Sequence, residues 1–77
     1  MMPMIISYLN RITPSRSYDE AEIKMLQRVY DRARDELRID ATDPRRETLA
    51  ILIFHVADTV DNDEKILERV VAAFRSL

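Results

Sequence analysis

The sequence predicts an all-α fold, a small bundle of three main helices plus a short N-terminal one, as a single domain over residues 1–77. Three observations predict it. Apolar residues recur at offsets of three and four through each segment, and the breaks between segments fall at clusters of proline, serine, asparagine and aspartate. The one continuous apolar run, Leu49 to Phe54, has no second strand-like run to pair with, and its flanks continue the helical period. With 77 residues, 47% hydrophobic and 34% charged, the chain holds one core at most.

The elements follow in order. In the N-terminal apolar segment, residues 1–14, Met4, Ile5, Tyr8, Leu9 and Ile12 lay one strip along a short helix that ends at Thr13, because Pro14 disfavours helical geometry in the residue before it. The first main helix, 17–38, opens with Ser17-Tyr18-Asp19-Glu20, a capping-box pattern. Ile23, Leu26, Tyr30, Ala33 and Leu37 then repeat at 3, 4, 3, 4, the period of a helix packed closely along others. Met25 and Val29 stand beside that seam and widen the apolar face toward a second neighbour or a second subunit.

The next helix, 43–60, begins at Asp43-Pro44, where aspartate can cap free amides and proline needs no donor. Leu49, Leu52, Ile53, Val56 and Val60 centre its apolar face, and Ala50, Phe54 and Ala57 extend it so far that this helix is expected to be the central, most buried one. Ile51 falls opposite that core. Asp61-Asn62-Asp63 makes a turn, with Asp63 or Asn62 as the cap of the last helix, 63–77. Leu67, Val70, Val71, Phe74 and Leu77 line its inner face, while Asp63 and Glu64 complement its dipole. The expected core is Ile23, Leu26, Tyr30, Leu37, Leu49, Ile53, Val56, Val70 and Phe74.

Composition removes several chemistries. The absence of cysteine excludes a disulfide frame, a thiol nucleophile and cysteine-bearing zinc motifs. Average usage would supply about five glycines to a chain of this length, and this one has none, which excludes glycine-rich phosphate loops and the nucleophile elbow. No apolar stretch approaches the roughly 20 residues of a membrane span. The apolar start lacks a positive flank and a small-residue cleavage site, so it is expected to be retained and the protein cytoplasmic.

His55 is the starting point for any acid–base or metal hypothesis, and Asp58 neighbours it at i, i+3. Two ligands are too few for a metal site, so a partly exposed histidine beside Asp58 is the expected arrangement, with no cofactor. The cluster Asp58, Asp61, Asp63 and Glu64 resembles the opening of a calcium loop, but Ile66 and Ala72 stand where that loop requires glycine and glutamate, and capping explains these carboxylates. Ser7, Ser15, Ser17 and Ser76 lie at caps or ends with a single histidine to serve them, so an enzyme is not expected.

Arginine outnumbers lysine ten to two, and seven of the twelve cations lie between Lys24 and Arg46. Arg28, Arg32, Arg45 and Arg46 are the residues that could contact an anion or nucleic acid. Asp31, Asp35 and Glu36 interleave with them, however, and the net charge is -2, so a self-paired, solvated face is the default. The surplus of apolar side chains in so short a chain is the stronger clue. Met4, Ile5, Tyr8, Met25, Val29 and Ile51 are the expected interface, and the expected function is a non-catalytic protein–protein interaction or regulatory module forming a homodimer or binding another protein. The alternative is a small nucleic-acid-associated regulator using the arginine face.

The string Asp43-Pro44-Arg45-Arg46-Glu47-Thr48-Leu49-Ala50, followed by Ile53-Phe54, Ala57, Asp63 and Leu67, resembles short uncharacterised helical proteins of alphaproteobacteria. In these an Arg-Arg-Glu-x-Leu-Ala start leads through an apolar helix and an aspartate turn to a final amphipathic helix. The resemblance covers about residues 18–77 and implies the bundle fold and a bacterial source, with no activity attached. This chain departs from the pattern between Val60 and Asn62, where a glycine would be expected, which makes Asn62 the residue to adopt a positive φ there.

Overall fold

The computed structural model describes residues 18–77, so the expectations for residues 1–14, including Met4, Ile5 and Tyr8 as interface, lie outside the described residues. Three helices form: α1 (Glu20–Leu37), α2 (Arg46–Ala57) and α3 (Asp63–Arg75), with no strand among the described residues. Each start has a local chemical reason; the first two differ in detail from the sequence expectation, and the third has the expected Asn62 cap and a start at Asp63.

The cap of α1 is Asp19 rather than Ser17. Its carboxylate accepts from the Glu22 amide at 2.7 Å while the Glu22 side chain accepts from the Asp19 amide at 3.5 Å, a reciprocal capping box displaced by two residues. An ionised acceptor at the positive end of the helix outcompetes a hydroxyl. At the other end Arg38 adopts φ 56, ψ 45, the one positive φ among the described residues. The Ile39 amide reaches back to the Arg34 carbonyl at 2.9 Å and the Arg38 amide to Asp35 at 3.4 Å, closing α1 in a Schellman motif with arginine where glycine is favoured. Ile39 is thereby turned inward and buried.

Asp43 accepts from the Arg45 amide at 2.9 Å, and its carbonyl accepts from the Arg46 amide at 3.1 Å, so Asp43 and Pro44 form a tight entry turn and regular α2 begins only at Arg46. The last helix is capped by Asn62, whose side-chain oxygen accepts from the Lys65 amide at 3.2 Å. That role requires extended backbone, and Asn62 has φ -105, ψ 125, so the expected positive φ there is wrong.

The helices run up, down and up. Tyr18, Asp19 and Glu22 of the α1 start share one end of the bundle with Ala57 to Asp61, whereas Leu37 and Arg38 share the other end with Arg45, Phe74 and Arg75. One core joins all three, from Leu26, Val29, Tyr30, Ala33, Ile39, Leu49, Ala50, Ile53, Phe54, Ile66, Val70 and Val71. Five expected core residues, Leu26, Tyr30, Leu49, Ile53 and Val70, are fully enclosed, while Ile23, Leu37, Val56 and Phe74 are half-buried at its margin. Among the described residues α3 packs extensively on both other helices and α1 meets α2 less, so α3, not the helix expected over 43–60, occupies the central packing position.

Candidate functional site

Val29 is 2% exposed and belongs to the core, which corrects its assignment to an interface. The reason is rotational. Leu26, Val29, Tyr30 and Ala33 follow at i, i+3, i+4 and i+7, a single inward stripe, and the choice of Ile23 and Leu37 as seam placed the helix face slightly off centre. Met25 is half-buried against the core. Ile51 is 46% exposed, on the outward strip of α2 with Thr48 and His55.

The four arginines do not converge. Arg28 and Arg32 are exposed on α1, and Arg32 lines a hollow with Glu64 and Glu68 of α3. Arg45 is committed to Asp43, with Nη2 2.7 Å and Nε 3.1 Å from the carboxylate, and its guanidinium lies 5.8 Å from the centre of the Phe74 ring. Arg46 donates through Nε to the Asp43 carbonyl at 3.0 Å. The pairing holds the Asp43 carboxyl below its ordinary range, through the side-chain hydrogen bond first and the Arg45 amide second. Arg38 and Arg75, not singled out from sequence, join Arg45 around Phe74 because the left-handed turn and the up-down-up order bring three helix ends together. No local sequence signal marks that meeting.

His55 is exposed, and Asp58 follows α2 as its C-cap. Among the described residues no group of three or more histidine, cysteine, aspartate or glutamate side chains could hold a metal ion. No described helix is long and apolar enough to cross a membrane.

The most distinctive surface lies at the α1 start. A cleft of about 480 Å³ opens between α1 and the α2–α3 turn, floored by Met25, Leu26, Ala57 and Val60. Asp19, Glu22, Asp58 and Asp61 rim it. Sequence reading linked Asp61 to the capping of the last helix, and Asp58 to that cluster and to His55. Asp19 and Glu22 arrive from a segment some 40 residues earlier, a juxtaposition that exists only once α1 and α2 are antiparallel. No family model matches the chain, and no curated protein or solved structure matches it either.

Proposed function

We propose that this is a non-catalytic protein–protein interaction or regulatory module of the cytoplasm that self-associates through the outward face of α2. The observation that carries the reading is Ile51, 46% exposed on a helix in which eight of twelve residues are apolar. A helix apolar on nearly all sides suits burial on more than one side, and among the described residues Leu49, Ala50, Ile53 and Phe54 are enclosed, Leu52, Val56 and Ala57 pack at the core margin, and Ile51 is left outward. Thr48 and His55 stand exposed beside Ile51 and give it a polar border.

Light scattering over a concentration series tests it. The mass is expected to rise from monomer to dimer, and Ile51→Glu is expected to hold the chain monomeric without unfolding it, since the residue contributes little to the core. A native chain that stays monomeric throughout, with no partner retained, would overturn the reading.

A further inference from the structure

The outward strip of α2 carries more than its apolar centre. Glu47, Ile51 and His55 recur at intervals of four and are all exposed, so they follow one another along a single face with Ile51 in the middle. Glu47 stands about 6 Å before Ile51 along the helix axis, and His55 about 6 Å after it. Because α1 and α3 pack on the buried side of α2, the charged neighbours of His55 on this strip are, among the described residues, Glu47 and Asp58.

Symmetry governs what such a strip can do when it meets a second copy of itself. A two-fold axis at Ile51 sets that side chain against its own counterpart and allows the two helices either a parallel or an antiparallel order. In the parallel order each residue meets itself, which puts Glu47 on Glu47, His55 on His55 and Asp58 on Asp58. Like charges then oppose one another, an arrangement that disfavours the pairing. In the antiparallel order a residue four places after Ile51 meets the one four places before it, so Glu47 of each copy faces His55 of the other, twice per dimer. An imidazole N–H donates to a carboxylate in either protonation state. Glu47 also has an interaction within its own chain, and a carboxylate has acceptor positions for more than one donor.

We propose that the partner on this face is a second copy of the chain in antiparallel order, its α2 laid across α2 with Ile51 at the two-fold axis and Glu47 of each copy paired with His55 of the other. The proposal rests on the reading that the protein associates with itself through this face, and adds the orientation and the residues that select it. The strip is self-complementary in charge only in this order.

Sedimentation equilibrium of the full chain at low ionic strength tests it, with the dimer dissociation constant as the readout. His55→Glu is expected to weaken the dimer about tenfold, because it sets two pairs of carboxylates against each other. Glu47→Lys alone is expected to weaken it as well, through loss of both acceptors. Glu47→Lys and His55→Glu together are expected to restore the constant to within about threefold of the native value, since each pair re-forms with its charges exchanged. Within one chain the two positions are about 12 Å apart along α2, so their coupling arises across copies. A parallel dimer gives the opposite result, because the double variant then places lysine on lysine and glutamate on glutamate and stays weak. A dimer whose constant responds additively to the two changes, or not at all, would overturn the antiparallel order and leave self-association itself standing. A native chain that stays monomeric would overturn both.

Discussion

Arg45 grips Asp43 from two residues away, its Nη2 2.7 Å and Nε 3.1 Å from Oδ2, while its own amide donates to Oδ1 at 2.9 Å. One carboxylate thus holds both the backbone and the side chain of the residue that introduces α2. Asp40, three residues earlier, works the same way on Thr42, accepting from its hydroxyl at 2.8 Å and its amide at 2.9 Å. Both carboxyls are held below their ordinary range, Asp43 chiefly by the Arg45 side chain and Asp40 chiefly by the Thr42 hydroxyl.

The sign of the pH effect follows. A carboxyl whose pKa is depressed on folding adds stability that is present above its unfolded value, near 4, and is lost as pH falls through the lower folded value. The Asp40→Asn, Asp43→Asn variant is therefore expected to show a flatter fall of melting temperature between about pH 5 and pH 2 than the parent. Parallel curves would remove these two residues from the acid response. Asp40 is exposed and Asp43 half-buried, so added salt is expected to shrink the Asp40 part of the difference more than the Asp43 part.

Arg38 occupies a left-handed position that a side chain bearing Cβ tolerates poorly. Arg38→Gly is expected to stabilise the fold by about 0.5–1 kcal/mol, the conformational relief being partly offset by a freer unfolded chain. Denaturant unfolding measures it. A destabilised glycine variant would mean that the arginine side chain contributes more at this turn than its backbone costs.

Val29 and Met25 should separate in energy. Val29→Ala removes fully enclosed methyl groups and is expected to cost about 2 kcal/mol, whereas Met25→Ala, at the floor of an open cleft, is expected to cost less than half of that. Equal costs in urea unfolding would place Met25 in the core.

Asp19→Ala is expected to lose about 1 kcal/mol through the α1 cap. Ser17→Ala should lose far less, since the reciprocal bonds belong to Asp19 and Glu22. Reversal of that order by thermal unfolding would return the cap to Ser17.

The helical character of the three main segments was legible because periodicity is a local property. Leu26, Tyr30, Leu49, Ile53 and Val70 all sat on stripes visible along the chain, and all are enclosed. What escaped depended on events between helices. Ile39 lies past the end of α1 and is buried only because Arg38 turns left-handed and points the chain back, a conformation with no glycine to announce it. Ile66 and Val71 complete the core because α3 packs on two helices instead of one, and no single-helix pattern reveals how many neighbours an element has. The cleft was invisible for the same reason, as its two acidic pairs come from opposite halves of the chain.

The packing position of α3 also bears on when the protein can fold. Of the three helices it leaves the ribosome last, yet it is the one that both earlier helices pack against. Until Val70 and Phe74 emerge, α1 and α2 have, among the described residues, only their smaller mutual contact to hold them, so the nascent chain presents Leu26, Tyr30 and Ile53 to solvent or to a chaperone. Cooperative folding is therefore an event of the end of α3 synthesis, and a stop placed before Val70 would release a collapsed, protease-sensitive chain rather than a smaller domain.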